Sequence, residues 1–525
     1  MNKDNTIAWL LLCLCLVCAS CYKDKGNYDY KPLDEVLIDT VKRDILSSYS
    51  IYRYDELVIN PRIFFNQQEV TSVDQVSGKL SFTWAIYQGS SGGRLYTRDT
   101  ISNELTLRKS ITKPAGRWIV ILAVKNLSTK VEEYMKFNIQ VDEQLSDGWM
   151  VLYEKNGNTD VGLIVDDWTK KNVVQTRTFS DMFMTSNGYP LLGEPRALLH
   201  SASTLATAEV LIASAHNLVA VEKSSFQVFY PIEKLFWSFT PGGEIKSVSA
   251  NNATSGRKEV IIYNNKIHMA NHSTSGVSRI NFFGAPYIGN YGDLAEWSAT
   301  AFGSSFDAVV YDNTNKKFLN IPANGTTVQS FATQVSTAAF DENNVGLDPE
   351  AFDWGRGNGT PNVGYEYSVM RNSTERSLLV SNFANAVTTQ VAIGKYPISG
   401  IPLSTPIRTL NSAFGGNYTL MGTDKTVYLH KYQQSSTVVP EWDAPANEEI
   451  TCVRLQKFYY NPAVTNALLP RPNTVVYIST WNAATSMGKV YAYAIDPTNG
   501  AINKSTERVY TGFGKIKEMG YKWSL

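Results

Sequence analysis

The sequence predicts an all-β protein: an immunoglobulin-like sandwich followed by a β-propeller, carried behind an export signal. Three observations predict it. Short runs with the two-residue period of a strand fill residues 34 to 143. Beyond Asp147, turn motifs recur at roughly 48 to 60 residues, the spacing of four-stranded propeller blades with their connections. Convincing amphipathic helices are nearly absent, as expected where sheets cover one another.

Composition sets the bounds. A chain of 525 residues exceeds what one hydrophobic core serves, and 43% apolar residues suffice to fill at least two. Forty-eight basic and 48 acidic residues cancel, and no Lys/Arg cluster of the kind that neutralises phosphates is present, so nucleic acid is a poor partner. Aromatic residues make up 12%, a content that suits strands and also suits surfaces that grip sugars or peptides.

The chain opens with Lys3 and an apolar run, Ile7 to Cys18, too short to span a bilayer as a helix. Residues 1–20 read as a signal peptide. Its end, Leu16-Val17-Cys18-Ala19-Ser20-Cys21, places small residues just before a cysteine and resembles a lipobox, with Cys18 where Leu is commonest. Cleavage before Cys21 and lipid on its thiol would make the lipid the sole membrane attachment. The series Cys13, Cys15, Cys18, Cys21 is not a metal site, because ligands inside an export segment are discarded with it. Only Cys452 then remains, so no intramolecular disulfide can form, and a buried, inert thiol is expected there. Residues 21–33 have the composition of a tether. The Lys23-Asp24 pair resembles the export signals of surface lipoproteins of Bacteroidota, which places the protein on the outer membrane facing the exterior; a plain solvated linker fits the same residues.

Residues 34–143 carry alternating runs at Glu56–Ile59, Leu80–Ile86, Trp118–Val124 and Tyr134–Val141. About 110 residues of this pattern make a sandwich. Trp84 in a middle strand, with Pro114-Ala115-Gly116 turning into the strand that begins at Trp118, resembles a PKD domain, and Trp84 is expected as the plug between two sheets.

Residues 146–525 form the propeller. Hairpins are expected at Tyr153–Asn158, Ser214–Asn217, Tyr263–Lys266, Asp312–Lys316, Asn372–Glu375, Gly422–Lys425 and Asn482–Ala484, which gives seven blades, with six or eight also compatible.

Nothing in the propeller announces catalysis. There is no Trp-Asp repeat, no sialidase box, no Gly-x-Ser-x-Gly. His268 and His272 are four apart but follow a hairpin turn, and on a strand such residues stand about 13 Å apart, too far for one metal. No metal or cofactor is expected. Asp353-Trp354-Gly355-Arg356-Gly357-Asn358-Gly359 has alternating glycines without the helix that a phosphate fingerprint needs. Two aromatic, glycine-rich connections, 284–297 and 352–367, are the candidate ligand surface, with Tyr287, Tyr291, Trp297, Trp354, Arg356 and Tyr365 as its residues. Loop aromatics that plug gaps between blades are the other reading.

Taken together, Cys21-Tyr22-Lys23-Asp24-Lys25-Gly26-Asn27-Tyr28-Asp29-Tyr30, the turn Asp341-Glu342-Asn343-Asn344-Val345-Gly346, and the closing runs Val475–Thr480, Gly488–Tyr493 and Gly512–Ile516 resemble the PKD-like family lipoproteins of Bacteroidota. The resemblance implies a SusC-like TonB-dependent transporter and a SusD-like lipoprotein as partners, and nutrient capture at the cell surface with peptide or glycan cargo. It supplies no catalytic residue. The leading reading is a non-enzymatic accessory binding protein, and the rival is a surface glycan- or peptide-degrading propeller enzyme.

Overall fold

The computed structural model describes residues 34–522, apart from 40, 42–44, 54, 89–96, 114, 143–144, 146, 172, 174, 204–205, 254–255, 273–281, 301–304, 356–364, 386 and 458–469. Cys21 and Arg356 fall outside the described residues. The chain divides into two compact units, Met1–Glu143 and Gln144–Leu525.

In the first unit, Leu80–Gln88, Gly116–Asn126 and Glu132–Asp142 are adjacent antiparallel strands of a five-stranded sheet. Ser48–Tyr52 joins its edge in parallel. Smaller sheets, Val36–Asp39 with Arg62–Phe65 and Gln68–Val70, and Glu56–Ile59 with Leu107–Ser110, supply the apolar residues that close over it. Alternation along the strands sends Phe82, Trp84, Ile86, Val120, Leu122, Val124, Phe137, Ile139 and Val141 into one core. Trp84 is fully buried, stacks on Phe137 at 5.9 Å, and donates its indole N–H to the Glu104 carbonyl at 2.8 Å. That bond satisfies the one polar atom such a plug must bring inside.

The second unit is a seven-bladed propeller of antiparallel sheets. Six blades run in chain order, their innermost strands being Pro195–Ser203, Ile245–Ala253, Leu294–Ala299, Asp348–Gly355, Thr409–Ser412 and Glu449–Leu455. The blade that begins the unit is completed from the far end of the chain. Lys515–Lys522 pairs with Gly148–Lys155 and becomes its innermost strand, which closes the ring.

Every hairpin expected from the sequence lands on the same turn, between the second and third strands counted outward from the axis. Several of these turns use left-handed backbone, Lys316 among them with φ of 49°, and asparagine or glycine supplies it in two: Asn156 and Gly157, with φ of 54° and 76°, and Asn264 and Asn265, with φ of 51° and 56°.

The blade interiors explain why polar alternation is weak here. Seven apolar clusters fill the seven gaps between neighbouring blades. In the second blade Val210 and Ile212 face one neighbour while Leu211 and Ala213 face the other. A sheet buried on both faces has no side left for polar residues, so its strands read as continuous apolar runs.

Cys452, on the innermost strand of the seventh blade, is buried, and burial pushes its thiol up to about 12. In protein lacking residues 1–33 it should stay unmodified by a disulfide reagent at pH 8 over hours and react fully in denaturant. Stoichiometric modification of the folded protein would contradict this burial.

Candidate functional site

The innermost strands of the seven blades stand around the axis of the propeller. Together these strands line a cavity of about 690 Å³, within the range of ligand sites. Its wall is polar and charged, which a propeller tolerates only where each charge finds a partner or water.

Most charges in the wall are paired. Arg454 donates two bonds of 2.6 Å to Glu518 on the closing strand. Glu350 accepts from Arg376 at 2.6 and 3.1 Å and stands 3.3 Å from Arg371. Arg196 reaches Glu244 at 2.9 Å and Glu296 at 3.8 Å. Lys246 pairs with Asp293, and Arg408 with Asp424 at 3.1 Å.

One polar cluster sits where Asp348–Gly355 ends. Asp353 accepts from the Ser412 backbone N–H at 2.6 Å, from the Ser412 hydroxyl at 2.9 Å, and from Lys457. Lys457 also donates to the Trp354 carbonyl at 2.5 Å and lies 4.8 Å from the centre of the Trp354 ring. Burial pulls the Lys457 ammonium down, and Asp353 works against that. Glu366 stands opposite Trp354 in the neighbouring strand. Burial first, and the Asp353 charge second, hold its carboxyl well above the usual carboxylate range.

Among the described residues, every Lys, Arg, Asp and Glu of the cavity wall has an ion-pair partner except two, Glu366 and Lys517.

The aromatic candidates divide. Trp297 and Trp354 line the cavity. Trp297 belongs to the strand Leu294–Ala299 and stacks on Phe352 at 4.3 Å with 9° between the planes. Trp354 lies on the strand Asp348–Gly355 and meets Phe414 edge-on at 6.1 Å. Tyr365 begins the strand Tyr365–Arg371 and packs on the apolar cluster between the fifth and sixth blades. Tyr287 and Tyr291 pack on the cluster between the third and fourth blades, away from the cavity wall. The stretches 284–297 and 352–367, expected as loops, are thus partly strand, because their aromatics fill positions facing neighbouring blades or the axis. The Nδ1 of His268 lies 2.8 Å from the Gly284 carbonyl and its ring meets Phe236 edge-on, while burial lowers its pKa. No group of three or more potential metal ligands occurs among the described residues.

Sequence reading singled out neither Lys457, Glu366 and Lys517 nor the Arg454–Glu518 pair. The signal that could have found them is a lone charge inside a strand whose blade leaves no solvent face, as in Ile450-Thr451-Cys452-Val453-Arg454-Leu455.

The family model described as PKD-like matches residues 21–195. No curated protein matches the chain. Among solved structures, a quinonprotein alcohol dehydrogenase-like protein from Bacteroides thetaiotaomicron is 13% identical, with 92% of this chain and 98% of that one covered and a TM-score of 0.46. The WD40 domain of SCAP from fission yeast is 9% identical, with 70% and 73% covered and a TM-score of 0.24. The assignment of a propeller rests on the seven sheets and their closure.

Proposed function

We propose that this protein is a lipoprotein of the outer-membrane surface, anchored at Cys21, whose propeller binds polar cargo without chemical turnover. We place it as an accessory of an uptake complex formed by a SusC-like TonB-dependent transporter and a SusD-like lipoprotein, with peptide or glycan as the cargo class. The observation that carries the binding reading is the axial cavity: about 690 Å³, walled by charges that, Glu366 and Lys517 excepted, have ion-pair partners, with Trp297 and Trp354 on its surface. Such a wall is set for hydrogen bonding and stacking with a polar ligand at little cost in unpaired charge. The anchor and the partners are supported by Cys21 with its preceding segment and by the match over residues 21–195.

A hydrolase would use a pair of carboxyl groups, and Glu366 near Asp353 invites that reading. Asp353, however, is already committed to Lys457 and to both donors of Ser412, which makes it the anchor of a lysine and leaves it turned away from a substrate's proton. Binding is therefore preferred over turnover. Turnover of a glycan or peptide panel that is lost in Glu366→Gln would reverse this preference.

The test is purification from native membranes in mild detergent, with mass spectrometry of what accompanies the protein. A TonB-dependent transporter and a polar small ligand should co-purify, and Cys21→Ala should abolish both lipidation and membrane retention. Recovery of the wild-type protein with no transporter and no ligand would overturn the proposal.

A further inference from the structure

The two charges of the cavity wall that lack an ion-pair partner among the described residues stand on different blades. Lys515 pairs with Glu449 at 2.9 Å, so Lys517, two residues further along the closing strand, stands beside Thr451. Glu366 stands opposite Trp354, whose carbonyl accepts from Lys457, at the other end of the same wall. From Thr451 to Leu455, where the strand ends, the rise is roughly 13 Å, and the blades that carry the two groups stand three steps apart around the axis, which lengthens the path between them to on the order of 20 Å.

We infer that the cavity takes a short, extended peptide with both termini free, its ammonium at Glu366 and its terminal carboxylate at Lys517. The inference rests on the binding function proposed above and names the ligand for it. An extended chain covers about 3.3 to 3.6 Å per residue, so five or six residues place opposite charges at that separation. The remaining wall charges have ion-pair partners, on the wall or just behind it, which suits a ligand whose middle is neutral. Ser247 and Ser249, which share Ser298 at 2.9 and 3.0 Å, and Thr451, 2.8 Å from Ser479, keep further lone pairs on their hydroxyl oxygens that can accept from the amides of a peptide backbone, and the stacked Trp297 and Phe352 offer an aromatic surface for one side chain. An arriving ammonium supplies the positive partner that Glu366 lacks, and so favours the charged form that burial and Asp353 disfavour. A ligand with either terminus blocked leaves one of the two groups unanswered, and the cost of a missing charged hydrogen bond is about ten-fold or more in affinity.

The experiment is calorimetric titration of the mature chain with random pentapeptide and hexapeptide mixtures, free at both ends, N-acetylated, or C-amidated. Free peptides should bind, and each block should weaken binding about ten-fold or more. In Glu366→Gln the preference for a free amino terminus should vanish while that for a free carboxylate persists, and Lys517→Ala should do the converse. Lys517→Arg should retain both, and unchanged unfolding midpoints would show that the variants fold. If Glu366→Gln folds poorly, Glu366→Asp serves, with a weakened preference expected. Equal binding of free and blocked peptides, preferences that survive both substitutions, or no peptide binding at millimolar concentration would overturn the inference. In those cases a glycan found with the native protein would leave the binding function standing, and the absence of any ligand or transporter would remove both.

Discussion

Ending the chain at Gly514 is expected to abolish cooperative folding of the propeller. The lost segment includes Lys515–Lys522, the innermost strand of the blade that begins with Gly148–Lys155. Its removal takes Ile516, Met519 and Tyr521 out of the cluster that joins the seventh blade to the first. Three such side chains represent roughly 5 to 8 kcal/mol of burial, as much as many domains have in total. Polar losses add to this: Arg454 loses Glu518, and Lys522 no longer donates to the Leu145 and Lys223 carbonyls. An unpaired Arg454 left in the wall is itself costly. The segment is held closely, since a side chain on Gly514 would put its Cβ 2.0 Å from the Glu154 carbonyl oxygen. The check is limited proteolysis with thermal unfolding. The truncated chain should be cut throughout residues 144–514, and a synthetic peptide of residues 515–525 added in excess should restore protection. A truncated protein that stays resistant and unfolds within a few degrees of the full chain would refute the closure argument.

The second large effect concerns Glu342. It lies in the short 3-10 turn Glu342–Asn344, fully buried, and among the described residues neither carboxyl oxygen has a hydrogen-bond partner from another residue. Burial, reinforced by Asp341, pushes its carboxyl up to about 8. In the unfolded chain it titrates near 4.5. Between those values the folded state holds a proton that the unfolded state has lost, so stability falls as pH rises. The contribution is fully present below about 4.5 and is lost as pH passes 8, a decline of roughly 3 to 5 kcal/mol. Glu342→Gln is neutral at every pH and should remove most of that slope, whatever constant cost its amide adds. Urea unfolding of both proteins from pH 5 to pH 9 measures it, with the difference between them as the readout. Parallel curves would mean that the carboxyl finds water or a partner when charged.

Much of this architecture was legible in the order of residues. Tyr153–Asn158, Tyr263–Lys266 and the other hairpins are local events: asparagine and glycine tolerate left-handed backbone, so the turn is written where it forms, and its recurrence counts the blades. The sandwich was legible for the same kind of reason, since alternation along Leu80–Gln88 and Gly116–Asn126 assigns one face to the core, and Trp84 on that face had to be its plug. The aromatic stretches were less legible. Periodicity does not separate a strand buried on both faces from an apolar loop, and Trp297 and Trp354 proved to stand on strands facing the axis.

The sequence by itself thus determined the all-β class, the number of repeating turns, the plug of the sandwich and the cysteine at the proposed anchor. Only the tertiary structure decided the site. Lys457 meets Asp353 across 104 residues and Arg454 meets Glu518 across 64, and both contacts exist because the innermost strands come together around one axis. Which wall charges lack an ion-pair partner among the described residues, Glu366 and Lys517, is a property of that closed ring. Local propensity can specify a turn, but the pairing of a charge depends on which distant strand lies within about 4 Å of it, and here the last strand of the chain completes that arrangement.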